Sequence, residues 1–140
     1  MQSKLLLSLA AILLLVVSSC ATKVNFPVSK VAPGADVSAK VKGDANGNFK
    51  IDLKVENLTS PDRLNPPKEM YVVWIETARG TKNLGQLNMS SGMFSATRKG
   101  SLSTTSAFEP KRILITAENV STNNQPSTQV IIESEIFNQD

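Results

Sequence analysis

Over Phe49-Lys50-Ile51-Asp52-Leu53-Lys54-Val55-Glu56 apolar and charged residues alternate without a fault for eight positions. A period of two at this fidelity is the mark of a half-buried strand with one wet face, and it excludes a helix there. Just upstream, Asp36-Val37-Ser38-Ala39-Lys40-Val41-Lys42 repeats the pattern, with Val37, Ala39 and Val41 on one face. The two strands are separated by Gly43-Asp44-Ala45-Asn46-Gly47-Asn48. A two-residue Asn46-Gly47 turn would set Val41 opposite Asp52, an inward residue beside an outward one, and a slip of one residue flips every side chain. A three-residue loop, Ala45-Asn46-Gly47, with Gly47 in the left-handed region, pairs Val41 with Ile51 and Ala39 with Leu53 instead. The odd-length loop is therefore predicted.

The same segment has a superficial likeness to the first half of a calcium loop. Such a loop needs glycine at its sixth position and a bidentate glutamate at its twelfth, where this chain has Phe49 and Val55. The hairpin reading is preferred.

The rest of the chain keeps a short rhythm. Val24 to Val31 has strand character interrupted by Pro27, which confines it to an edge or an irregular strand, and Pro33-Gly34 turns the chain. Asn57 to Lys68 is a long connection containing Pro61, Pro66 and Pro67, where helix is disfavoured. Tyr71-Val72-Val73-Trp74-Ile75 is continuously apolar, as in a central strand covered on both faces. A strand at Leu84 to Met89, a turn at Ser90-Ser91-Gly92 and a strand at Met93 to Thr97 follow, and Gly100 is read as a break. Ser101 to Ser106 fits strand or loop, Ile113 to Ala117 is a strand, Val120 to Thr128 a polar loop, and Val130 to Phe137 the last strand. Seven to nine short strands without an amphipathic helix predict an all-β fold, a single antiparallel β-sandwich of immunoglobulin-like type. The cysteine pair of a true immunoglobulin domain is absent.

Ahead of this domain stand a basic start, Met1 to Lys4, and an apolar run from Leu5 to Val17. That is a secretory signal pattern, and it is short against the roughly 20 residues of a membrane-spanning helix. The run ends in Val17-Ser18-Ser19-Cys20, and Cys20 is the only cysteine. These four residues resemble the lipobox of bacterial lipoproteins. The resemblance implies a diacylglycerol thioether on the Cys20 thiol, cleavage before it, and acylation of the new amino group by a fatty acid of the palmitate class. Two or more chains anchor stably where one binds marginally. The resulting division is 1–19 signal peptide, 20–25 lipidated tether and 26–140 β-sandwich. Ala21 after the cysteine resembles lipoproteins sent on to the outer membrane of the bacterial cell envelope.

Composition narrows the chemistry. Without residues 1–19, 14 basic side chains face 12 acidic ones, and the basic residues are scattered rather than striped, so nucleic acid is not expected as a partner. The chain has no histidine, which removes the usual zinc, copper and haem ligand sets and the Ser–His and Cys–His pairs. No metal and no cofactor are expected. An enzyme would have to work with carboxylates, Lys, Arg or Tyr71.

From Tyr71 onward, Tyr71-x-x-Trp74, Gly80, Leu84-Gly85-x-Leu87, Phe108, Ile113 to Glu118 with its Thr-x-Glu ending, Pro126 and Val130-Ile131 resemble the extracytoplasmic C-terminal domain of anti-sigma-K-type factors. The resemblance covers about half the chain, rests on core and turn residues, and implies an extracytoplasmic β-module. Sigma-factor sequestration is not carried over, because that activity belongs to a cytoplasmic segment ahead of a spanning helix, where this chain has the signal-type run.

Three functions follow in order. The first is a non-enzymatic interaction or structural module in the envelope, held to the membrane through acyl chains on Cys20, with an envelope protein or glycan as partner. The second is a module binding glycan or peptide through the Asn57 to Lys68 connection, with Arg63 as the exposed residue to test. An enzyme of carboxylate type comes third, although Glu133 and Glu135 on one strand face do not form a facing pair. A buried Trp74 favours the first reading and an exposed one beside a cleft the second. The alternation Lys50, Asp52, Lys54, Glu56 reads as a solvated face. Asn57, Asn88 and Asn119 stand in glycosylation-type triplets that a bacterial compartment makes coincidental.

Overall fold

The computed structural model describes residues 20–91 and 97–139. The described residues form nine strands: β1 Thr22–Val24, β2 Asp36–Gly43, β3 Phe49–Thr59, β4 Met70–Thr77, β5 Gly80–Gln86, β6 Asn88–Ser91, β7 Thr97–Ser106, β8 Arg112–Glu118 and β9 Val130–Glu133. They make two antiparallel sheets, ordered β1-β2-β3-β7-β6 and β5-β4-β8-β9, packed against each other as a sandwich. Among the described residues no helix is long and apolar enough to cross a membrane. The signal-type run 1–19 lies outside the described residues.

Alternation builds the core. Ala39 and Val41 of β2 and Ile51, Leu53 and Val55 of β3 meet Tyr71, Val73 and Ile75 of β4 and Ile113, Ile115 and Ala117 of β8 in one buried cluster. The opposite faces of β2 and β3 carry Lys40 and Lys54 into solvent. The hairpin has the odd-length loop, with Val41 paired to Ile51 and Ala39 to Leu53. Gly47 sits at φ 79°, and the Asp44 carboxylate accepts hydrogen bonds from the backbone N–H groups of Asn46 at 2.8 Å and Asn48 at 2.9 Å. Those bonds, that to Asn48 first, hold the Asp44 carboxyl below its ordinary range. The acidic loop is thus occupied in making a turn.

The β3 strand outlasts its alternation. Asn57 adopts φ 55° where the β3–β7 register shifts, and this bulge changes the phase so that Leu58 returns to the core at 0% exposure. The predicted connection beginning at Asn57 therefore starts three residues later, at Ser60, and opens with a 3-10 turn at Pro61–Arg63.

Further expectations are corrected. The tether assigned to residues 20–25 contains β1, whose Thr22, Lys23 and Val24 pair with Val41, Lys40 and Ala39. Val24 is buried there, and the strand stops before Pro27 instead of spanning Val24 to Val31. Leu84 to Met89 is not one strand: β5 ends at Gln86, Leu87 is fully buried, and β6 starts at Asn88 in the other sheet, taking Ser90 and Ser91 with it. Gly100 does not break the chain but lies inside β7, where a Cβ would stand 2.5 Å from Leu87 Cδ2, so only glycine admits the side chain that closes the sheet crossing. The last strand ends at Glu133, because Ser134 and Glu135 turn to bond the Ile113 and Asn25 carbonyls. The strand read at Met93 to Thr97 falls largely outside the described residues.

Candidate functional site

Strand directions sort the connections into two ends. Because Thr22 pairs with Val41 and Glu76 with Arg112, the chain at Cys20 emerges beside the β2–β3 turn, the β4–β5 turn and the β7–β8 link. The connections 25–35, 60–69 and 119–129 gather at the opposite end. Cys20 is exposed, and only Ala21 separates it from β1.

At the far end, the outer face of the β5-β4-β8-β9 sheet is covered as well. Val72, Trp74 and Leu114 form a second buried cluster with Met70 and Val130 packed against it. Trp74 is 0% exposed and its Nε1 donates to Thr116 Oγ1 at 2.8 Å. Thr116 in turn donates to Glu118 Oε1 at 2.6 Å. The same oxygen accepts the Ser127 backbone N–H at 2.8 Å, while Glu118 Oε2 accepts from Asn123 Nδ2 at 3.1 Å. Asn83 completes the arrangement by donating at 2.9 Å to the carbonyls of both Ser121 and Asn123. A bulge in the β4–β5 ladder aims that amide, with Gly85 at φ 111° donating its N–H to Asn83 Oδ1.

Glu118 is only 3% exposed. Burial alone pushes its carboxyl upward, yet the hydrogen bonds from Thr116, Ser127 and Asn123 together outweigh it and leave the group below its ordinary range. It is a buried carboxylate whose bonds are spent on the 119–129 connection. Chemically this group holds a loop; it is not poised to exchange a proton near neutral pH.

The neighbouring connection is anchored by Tyr71, whose hydroxyl donates to the Thr59 carbonyl at 2.6 Å. Ser60 Oγ donates to Asp62, and that bond, with the cations Arg63 and Arg98 nearby, holds the Asp62 carboxyl low. Arg63 itself is exposed. The two long connections are joined, since Gln129 Nε2 donates to the Pro66 carbonyl at 3.1 Å and the Glu69 N–H to the Glu118 carbonyl at 3.1 Å.

Burial, and then the negative charge of Asp62, push the Tyr71 hydroxyl up to about 12. An unfolded tyrosine ionises near 10, so the stabilisation is fully present below pH 10 and is lost as pH rises to 12, by about 2 to 3 kcal/mol. Tyr71 is the only tyrosine, so phenolate absorbance reports it alone. The expected result is a midpoint near 12 in the folded protein, with a loss of stability above pH 10 that is shallower in Tyr71→Phe. A midpoint near 10 in folded protein would refute the buried hydroxyl.

The sites expected from sequence are therefore separated. Cys20 lies at one end and Arg63 at the other, while Tyr71 and Trp74 are interior. The Lys50 to Glu56 face is solvated, with ion pairs of 3.8 Å for Lys50–Asp52 and 3.6 Å for Lys99–Glu56, contributing a few tenths of a kcal/mol each. Glu133 and Glu135 do not share a strand face, and Glu133 pairs with Arg112 at 4.0 Å. Among the described residues no three of His, Cys, Asp and Glu converge as a metal site. Sequence reasoning passed over the Glu118 network; its signal was the Thr116-x-Glu118 pair, two polar groups on one face of an otherwise apolar strand. No family model matches the chain, and no curated protein or solved structure is significantly similar to it.

Proposed function

We propose that the chain is a lipid-anchored lipoprotein of the bacterial cell envelope, held at the outer membrane, whose β-sandwich acts as a non-enzymatic interaction or structural module. The observation that carries this reading is Cys20: the only cysteine, closing Val17-Ser18-Ser19-Cys20 after an apolar run, exposed, and one residue from the first strand. The extracytoplasmic β-module implied by the anti-sigma-K-type resemblance agrees with that compartment. Full burial of Trp74 favours an interaction module over a glycan or peptide site built on that ring. The long connections 60–69 and 119–129, tied together at the end away from Cys20, are the surface offered to an envelope partner.

Cys20→Ala is expected to abolish acyl labelling, block processing and release the protein from the membrane fraction, because stable attachment needs two or more chains. Acyl incorporation is followed by metabolic labelling and attachment by fractionation. Unchanged labelling and unchanged attachment in the variant would overturn the assignment.

A further inference from the structure

The end of the sandwich that carries Cys20 holds six cations. At or beyond the level of the Val41–Ile51 and Ile75–Ile113 pairs the described residues include Lys42, Lys50, Arg79, Lys82, Lys111 and Arg112. Asp44, Glu76, Glu109 and Glu135 stand there too, Lys50 pairs with Asp52 at 3.8 Å, and Arg112 is also 4.0 Å from Glu133. Glu109 and Glu76 are engaged with Lys111 at 3.0 Å and Arg112 at 3.7 Å. Among the described residues neither Arg79 nor Lys82 is in an ion pair, and Lys82 Nζ rests 4.7 Å from the centre of the Phe108 ring.

The same end is hollowed. Between the β4–β5 turn and the β7–β8 link lies a concavity of about 390 Å³, with Phe49 and Phe108 among its walls and Arg79 and the Lys111–Glu109 ion pair beside them. Aromatic rings flanked by cations suit the boundary where phosphate headgroups meet the first methylenes of a bilayer. The chain outside the structure also ends here. Residue 19 joins at Cys20, so both the apolar run 5–17 and any acyl group on Cys20 deliver a bilayer to this end. With Ala21 alone between Cys20 and a hydrogen-bonded strand, the sandwich has almost no slack to stand away from it.

We propose that the Cys20 end, with the Phe49–Phe108 concavity, Arg79 at its edge and Lys82 over the Phe108 ring, is a contact face for an anionic phospholipid surface, so that the sandwich stands upright with connections 60–69 and 119–129 directed away. The proposal rests on the membrane-anchored reading but adds an orientation and a headgroup chemistry to it. The attraction of each cation to an anionic surface is weak, enough to orient an anchored domain without anchoring it.

The test uses the acylated protein in vesicles with about one third phosphatidylglycerol. The acylated Cys20 thiol is unreactive, so a single new cysteine takes a fluorescent label, at exposed Ala78 (Ala78→Cys) or at exposed Asn124 (Asn124→Cys) on the far end. Nitroxide on the lipid headgroups is expected to quench the Ala78 label at least roughly threefold more than the Asn124 label. Arg79→Glu together with Lys82→Glu is expected to shrink that ratio while the protein stays with the vesicles, and phosphatidylcholine alone to shrink it likewise. Equal quenching at both positions with the Cys20 acyl mass present would overturn the contact face and leave the anchor standing. Absence of the acyl mass from Cys20 would overturn the anchor and, with it, the orientation.

Discussion

Trp74→Ala is expected to lower the free energy of unfolding by about 3 to 5 kcal/mol, measured by denaturant titration followed by circular dichroism. The ring is completely buried, and it is buried on the face of β4 turned away from the main core. Truncation would therefore open a cavity between a sheet and a loop, where the 119–129 connection has no strand of its own to stay in place. Domains of this size are stable by only 5 to about 15 kcal/mol, so the loss is a large share of the total. A loss under about 1 kcal/mol would show that the layer outside the sheet is not packed.

Glu118→Ala is expected to remove about 3 kcal/mol by a different route. The substitution takes away the acceptor of three donors at once: the Thr116 hydroxyl, the Ser127 N–H and the Asn123 amide. The fully buried Thr116 hydroxyl, left without its acceptor, carries its desolvation cost, and the part-buried Ser127 and Asn123 donors lose their acceptor as well. Glu118→Gln keeps acceptor oxygen in place and is expected to lose less. Trp74 is the only tryptophan, so its emission should shift to the red in Glu118→Ala as water reaches the loosened layer. Unchanged emission and stability would mean that the carboxylate holds nothing.

Acid exposes the same group. The folded Glu118 carboxyl lies below its unfolded value, so its stabilisation is present above the unfolded range and disappears as pH falls through the folded one. Glu118→Gln should flatten that part of the acid limb.

Which features could be read from residues alone follows from how local their causes are. The Ala45-Asn46-Gly47 loop was legible because side-chain parity admits one loop length and rejects its neighbour, a constraint carried wholly by residues 37–55. Burial of β4 on both faces was legible from five consecutive apolar residues, although not what would cover the outer one. The split at Leu87 was not legible, since Leu84 to Met89 reads as one stretch until Leu87 N–H bonds the Tyr71 carbonyl and its side chain settles on Gly100. Glu118 was hidden for a similar reason. A carboxylate at a strand end looks solvated until residues nine positions later fold back to bond it. The short strand at Thr22–Val24 was masked by the expectation of a lipid tether, while its partners Val41, Lys40 and Ala39 lie in a strand already recognised. The four-residue pattern ending at Cys20 is the source of the proposed anchor, and it is silent about a partner.

That first strand also has a mechanical consequence. β1 runs antiparallel to β2 at the margin of its sheet, and it is stitched further by the Glu135 N–H to the Asn25 carbonyl at 2.9 Å. A pull applied at Cys20 against the far loops acts along the strand axis, so the rungs between β1 and β2 share the load in shear rather than opening one after another as in a zipper. The three residues of β1 thus form a force-bearing joint, and tension between Cys20 and the far loops would be passed into the body of the sandwich instead of being absorbed by slack chain.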